Sequence, residues 1–347
     1  MTITYPAGSL TPNQTRRLSE GKEPQISYIS PDGYATFHLM GPRSPIAGVQ
    51  EGIIMLRESV KGMLAPWQTL DQAGANQDGV TFVDAVYSPA EIDMMIEAHG
   101  LTPAGTRQVI RDWINSWDAK QTGKLKATVD SNGDWYANVR WLKAPTDVLM
   151  RAQANRQKFL WTARMDDAFW YTDDSVASIT VNGTTAGGQL EVRNTGDQPA
   201  WPRYLLYGPG TFKIGNGPGS SDYVEFGPLV ANQIVLLETE PRRRSIVDLS
   251  STSISQQLTI FQTILNALVT FASNNNTVPL LQQFESLFGI RPPQGNLYQY
   301  LKGRFSIPVP PAPISGAGNS NLPFIITGAG SGTKLVAAIT PRRRWPL

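Results

Sequence analysis

Few residues in this chain could carry chemistry. His38 and His99 are its only histidines among 347 residues. A metal site or general base built on histidine needs a second ligand or an orienting carboxylate at a defined spacing. Neither histidine has a second one at such spacing, and the one carboxylate near in sequence is Glu97, beside His99. Both therefore read as surface or sheet-face residues. The chain has no cysteine, which excludes disulfides, thiolate nucleophiles and thiolate-built zinc or iron–sulfur sites.

Two acid pairs invite a closer look. Asp166-Asp167 and Asp173-Asp174 lie among Trp161, Phe169, Trp170 and Tyr171. A glycosidase needs two carboxylates across a cleft where aromatics stack on sugar. Neighbouring acids on a strand point to opposite faces, so these pairs do not converge. They read as solvated turn residues beside sheet-packing aromatics. The glycine-rich run 328–334 has Thr333 before Lys334 where a phosphate loop needs glycine, and a strand-like segment follows where a helix is required. Gly208-Pro209-Gly210 and the glycines at 215, 217 and 219 are turn chemistry without a dinucleotide fingerprint. These readings assign no catalytic residue, cofactor or metal.

Two arginine triplets remain: Arg242, Arg243 and Arg244, and Arg342, Arg343 and Arg344. Such clusters meet phosphates or pair with acids of a neighbouring subunit. Thirty basic and 28 acidic residues leave a net charge of only +2, too little for a field that gathers nucleic acid. The triplets are therefore candidate subunit contacts, with no specific nucleic-acid recognition expected. Each follows a strand and a proline, in Leu236–Arg244 and Val336–Arg344. That echo predicts two strands of one sandwich ending at the same rim.

The elements that position these residues are mostly strands. Hydrophobic residues make up 41%, charged residues 17%, and 31 glycines and 26 prolines separate short apolar runs. The length suggests about two domains. Residues 1–25 read as a loop-like arm. Strands are predicted at Ile53–Leu56 and Val80–Tyr87. Residues 88–100 carry a helix-like start at Ser88-Pro89 but alternate at Ile92, Met94, Ile96 and Ala98, which favours a strand. Thr102 caps a helix begun by Pro103, with Val109, Ile110, Trp113, Ile114 and Trp117 on one face. A hairpin follows over Leu125–Val129 and Trp135–Trp141, then one long strand over Phe159–Tyr171.

Beyond residue 172 short strands recur at Val176–Val181, Gln189–Arg193, Arg203–Tyr207, Thr211–Ile214, Tyr223–Phe226 and Ile234–Glu238, as in an antiparallel sandwich. Residues 251–303 carry two helical stripes and read as an inserted helical hairpin. Strands resume at Phe324–Thr327 and Lys334–Ile339. No signal peptide is expected from the first dozen residues. The apolar run 260–272 is too short and too interrupted to enter a membrane. The chain is expected to be made and kept in a cytoplasm until it assembles.

The stretch Glu191–Gly210, with Asn194-Thr-Gly-Asp197 and then Trp201-Pro202, resembles the start of the C-terminal sandwich in distal tail proteins of long-tailed phages. Val224-Glu-Phe-Gly-Pro228 and Val235–Arg244 continue the likeness, closest to minor tail proteins of actinobacterial phages. Gly79, the Thr102–Trp117 helix, Gly123-Lys-Leu125 and Tyr136–Arg140 follow the family's ring-forming domain in order. The resemblance covers about residues 45–250 and 324–347. It implies an N-terminal α+β ring domain over 1–172. It also implies a galectin-like β-sandwich over 173–250 and 304–347, interrupted by the insertion at 251–303. The implied function is a non-enzymatic virion protein: a homohexameric ring at the tail tip, joining the tail tube protein to the central hub protein. Tape measure and receptor-binding proteins are further implied neighbours. A carbohydrate-binding adhesion module is the alternative, suggested by the sandwich and nine tryptophans. A cell-wall hydrolase, resting on the Asp pairs, is a more distant one.

Overall fold

The protein is described here by a computed structural model covering residues 2–56, 60–74, 77–129, 133–145, 155–241, 244–250, 297–313 and 318–346. It is mainly β, with two α-helices among these residues. Contacts divide it into two compact units, Met1–Tyr171 with Arg344–Leu347, and Thr172–Arg343.

The first unit runs β1 (Ile3–Tyr5), α1 (Pro12–Glu20), β2 (Gln25–Ile29), β3 (Ala35–Met40), β4 (Gly52–Met55), β5 (Trp67–Gln72), β6 (Thr81–Tyr87) and β7 (Ala90–His99). It continues through α2 (Pro103–Asn115), β8 (Gly123–Val129), β9 (Gly133–Lys143), β10 (Arg156–Met165) and β11 (Trp170–Tyr171). Its main sheet has the order β1-β3-β2-β8-β9-β10-β7-β4. β1 and β3 are parallel and the other neighbours along this path antiparallel. β5 and β6 form a separate two-stranded ribbon.

α2 forms where its sequence says it should. The Thr102 hydroxyl accepts from the Gly105 N–H, and Pro103 occupies the first turn. Val109, Ile110 and Trp113 are buried from this helix. The Trp113 ring stands edge-on to Tyr28, Phe37 and Trp161, with centroids at 5.4, 5.0 and 5.4 Å. Trp117 stacks on Tyr28 at 3.8 Å. Edge-on and stacked aromatic pairs add about 0.5–1.5 kcal/mol each beyond their buried area. The Tyr5 hydroxyl donates to Asp112 at 2.7 Å, tying β1 to the same helix.

Three expectations change or sharpen. Residues 1–25 are no arm. β1 pairs with β3, and α1 is closed by a capping box between Thr11 and Gln14, Pro at its first turn and Gly21 in the left-handed region at φ 61°. α1 has almost no apolar stripe. It is held instead by the buried Gln14, whose amide exchanges hydrogen bonds of 2.9 and 3.1 Å with Gln50. The long strand predicted over Phe159–Tyr171 is broken: β10 stops at Met165 and a bend precedes β11. There Asp166 turns back to Arg140 at 2.5 Å and Arg164 at 3.0 Å. Residues 88–100 are a strand, as alternation favoured, because β7 is hydrogen-bonded on both sides, by β4 and β10.

The second unit contains β12 (Ser175–Thr180), β13 (Thr185–Arg193), β14 (Arg203–Tyr207), β15 (Gly210–Gly215), β16 (Tyr223–Leu229), β17 (Ile234–Glu238) and β18 (Ser245–Asp248). A 3-10 turn (Leu297–Tyr300), β19 (Leu301–Lys302), β20 (Asn319–Thr327) and β21 (Lys334–Ile339) follow. Two five-stranded sheets result, β12-β21-β14-β17-β18 and β13-β20-β15-β16-β19. One core holds Tyr204, Leu206, Phe212, Phe226, Phe324 and Leu335. Of the helical hairpin expected at 251–303, residues 251–296 lie outside the described residues. Leu301 and Lys302 already pair with Phe226 and Glu225, so sheet structure resumes before residue 303.

Truncating Trp113 removes a ring that touches β2, β3 and β10 together. Trp113→Ala should cost about 3–5 kcal/mol, read as a lowered denaturation midpoint of the full chain with the denaturant slope unchanged. A loss under 1 kcal/mol would contradict this packing.

Candidate functional site

The two arginine-ended strands do share a rim. β17 and β21 flank β14, and Arg203 on β14 lies opposite both Glu238 and Ala338. Buried Arg203 donates through Nη2 to Asp174 and to the Thr340 hydroxyl, each at 2.6 Å. Its Nε lies 3.7 Å from Glu238. Thr340 also donates to the other oxygen of Asp174 at 2.5 Å. Burial pushes the Asp174 carboxyl up from its ordinary range, and Arg203 opposes that shift. A buried charge without such partners would cost several kcal/mol, so this network explains why polar groups sit at the rim.

The candidate contact residues are partly engaged within the chain. The Arg244 guanidinium donates to the Phe305 carbonyl at 2.7 Å. Arg342 lies 3.5 Å from Glu240. Arg343 donates twice to the Thr195 carbonyl, at 3.1 and 2.9 Å. Arg344 falls with the first unit. Arg242 and Arg243 lie outside the described residues.

The Asn194–Asp197 stretch meets this rim, and its residue types have physical reasons. Asn194 is fully buried. Its Nδ2 donates to the carbonyls of Gln198 and Pro310 at 3.0 Å each, and its Oδ1 accepts from the Gly196 N–H at 3.0 Å. At Gly196 the chain passes so close to Arg342 that a Cβ would lie 2.1 Å from the Arg342 carbonyl oxygen. Glycine is the residue that permits this approach. Sequence reasoning marked the motif but not the buried amide, which an Asn two residues before a Gly signals.

The remaining candidates resolve as parts of the scaffold. His38 Nδ1 lies 2.9 Å from the Ser27 hydroxyl and 3.2 Å from the Gln25 amide. Its pKa is lowered to about 4 by burial first, then by Arg43 and Lys126. His99 Nε2 is 3.2 Å from Glu97, whose other oxygen is 3.4 Å from Lys158. Burial lowers its pKa as well. Asp166 lies in the bend after β10, a turn residue as read, but it is held by two arginines and not solvated, and Asp174 is likewise buried against Arg203. The run 328–334 is the turn between β20 and β21. There the buried Thr333 hydroxyl donates to the Pro209 carbonyl at 2.6 Å. Among the described residues no group of three or more His, Asp or Glu side chains is placed to hold a metal ion. No described helix is long and apolar enough to cross a membrane.

No family model and no curated protein matches the chain. Solved phage structures are similar to it in outline. One is SPP1 Dit (gp 19.1), described as a paradigm of the hub adsorption apparatus in phages infecting Gram-positive bacteria. It is 13% identical with a TM-score of 0.47, over 83% of this chain and 93% of that one. Another is a chain of the phage P2 baseplate in its activated conformation with Ca, 8% identical with a TM-score of 0.47, over 93% and 99%. The same baseplate with Sr gives equal values. Likeness of this degree leaves function to be argued from the chain's own residues.

Two outcomes follow from this geometry. Gly196→Ala should destabilise the chain by about 1–3 kcal/mol through overpacking. Gly183→Ala, whose Cβ would meet nothing nearer than 4.0 Å, should leave the melting temperature unchanged; equal effects would refute the close-approach account. His38 binds a proton less readily folded than unfolded, so stability is lost as pH falls from about 6.5 toward the folded value of about 4. After discounting its partial exposure the loss is roughly 2 kcal/mol. His38→Gln should flatten that acid limb of the melting curve, and an unchanged limb would rule the group out.

Proposed function

We propose that this chain is a non-enzymatic structural subunit of a phage tail tip. In this reading the first unit forms a homohexameric ring and the second is a galectin-like sandwich. The ring joins the tail tube protein to the central hub protein around the DNA exit path. Tape measure and receptor-binding proteins are further neighbours. The chain is assembled in the bacterial host cytoplasm and ends at the virion tail tip.

The observation that supports this best is the chain order of the units. A sheet unit bearing one long aromatic-faced helix and the β8–β9 hairpin precedes a two-sheet sandwich. The motifs of the distal tail resemblance fall on elements in that same order. Asn194 and Gly196, the most specific of them, build the turn that joins β13 to the rim. Two of the four carboxylates that suggested hydrolysis, Asp166 and Asp174, are committed to arginines, which supports the same reading.

Native mass spectrometry of the full chain over a concentration series tests this. A six-copy species is expected, together with the chain's presence in purified virions. A strict monomer at every concentration, absent from virions, would end the proposal.

A further inference from the structure

The five-stranded sheet β12-β21-β14-β17-β18 is apolar on both faces. Tyr204, Leu206, Val235, Leu237, Leu335 and Ala337 point into the sandwich core. Alternation therefore turns Leu205, Leu236 and Val336 to the other face. There the register sets Val336, Leu205, Leu236 and Val247 in one row across β21, β14, β17 and β18. The outer face of an antiparallel sheet is commonly polar and wet. Here Leu236 is 1% exposed, Val336 2% and Val247 4%, and Leu205 is buried with them. Arg203 and Glu238 share this face and are buried as well. Among the described elements, those in extended contact with β14, β17 and β21 are their sheet neighbours and β13 of the opposite sheet. A further layer therefore covers this face.

The two sheet edges say where that layer comes from. At β12, Val176 stands on the same face opposite Ala338 and is 42% exposed. Cover is thus complete at β18 and lost at β12. β18 is also where residues 251–296 leave and return. The Ser250 hydroxyl accepts from the Ile234 N–H at 3.1 Å, and the Tyr298 hydroxyl donates to the Arg244 carbonyl, next to Ser245, at 3.4 Å. The composition of the segment suits the face. Its only charged residues are Glu285 and Arg291. Apolar residues recur at helical spacing over Ile260–Phe271 and again over Leu280–Phe288. Such stripes need an apolar surface to bury them, and the sheet face needs an apolar layer.

We propose that residues 251–296 form that layer, seating their two apolar stripes on Val336, Leu205, Leu236 and Val247. The insertion is then a third layer of the second unit, not an arm offered to the host or to a neighbouring protein. Helices packed on a sheet face are one of the stable layer solutions. The same layer excludes water from the Arg203 network, which strengthens its hydrogen bonds. The inference concerns one chain by itself, so it stands apart from the tail-tip reading.

The chain has no cysteine, so introduced thiols report on this contact without interference. In the full chain, Val247→Cys is combined in turn with Ile264→Cys, Leu268→Cys, Phe284→Cys and Leu287→Cys, and with Asn266→Cys, off the stripe, as control. Mild oxidation should close an intrachain disulfide for at least one stripe position and not for the control. As the sole cysteine, Val247→Cys should react with a maleimide at least tenfold faster once Leu265→Asp and Leu268→Asp charge the stripe. Leu206→Cys, in the sandwich core, should stay protected in that background. If Leu206→Cys opens too, the sandwich has unfolded and the disulfides alone decide. Failure of all four stripe thiols to pair overturns the proposal. So does unchanged protection of Val247→Cys beside the charged stripe, which would mean that the first unit or a second copy covers the face.

Discussion

Trp113 meets side chains from β2, β3 and β10 through Tyr28, Phe37 and Trp161. β10 is distant in sequence from the neighbouring strands β2 and β3, so one indole ties α2 to both parts of the sheet. Trp117 extends the contact by stacking on Tyr28, and the Tyr28 hydroxyl donates to the Ser116 carbonyl at the helix end, 2.7 Å away. The indole N–H groups of Trp113, Trp117 and Trp161 have no conventional acceptor. Their neighbours are aromatic rings at steep angles. The cluster tolerates little change because each ring packs against several others. α2 and the strands β2, β3 and β10 of the first unit are referred to this packing.

The second unit has a different organising device, and it is polar. Arg203, Asp174, Thr340 and Glu238 come from β14, β17 and the flanks of β12 and β21. A low-dielectric site makes such groups costly alone and directional together. Hydrophobic matching between sheets would allow small slips along the strands. A guanidinium that must reach one carboxylate and one hydroxyl does not. The same rim holds Asn194 and the close pass of Gly196 by Arg342, so register and turn geometry are set at one end of the sandwich.

How much of this was legible in the sequence depends on which force made each element. Where burial makes the element, periodicity shows it: α2, β7, β14, β17 and β21 were all readable. α1 was not, because one buried Gln14 and two caps hold it, and an apolar stripe is absent. Its capping box and Gly21 were nonetheless written in the chain. β5 was missed for the opposite reason. Its side chains are all exposed, so no alternation was needed to form it. The break after Met165 escaped notice because the aromatics of 159–171 alternate well. Asp166, caught between Arg140 and Arg164, decides the geometry there. For the candidate rim, the Pro-Arg-Arg-Arg echo located the place, whereas the carbonyls and acids that hold those arginines come from residues far away in sequence.

A near-neutral chain can still be electrically specific. The net charge of +2 hides a ribbon segment with three carboxylates and no cation, and an α1 surface where cations outnumber carboxylates two to one. Separated charge on one unit repels like regions and attracts unlike ones within about a Debye length. A face-to-face pair of identical surfaces would set acid against acid. Contact between unlike regions would set acid against base, so separated charge favours an approach of unlike surfaces over one of like surfaces.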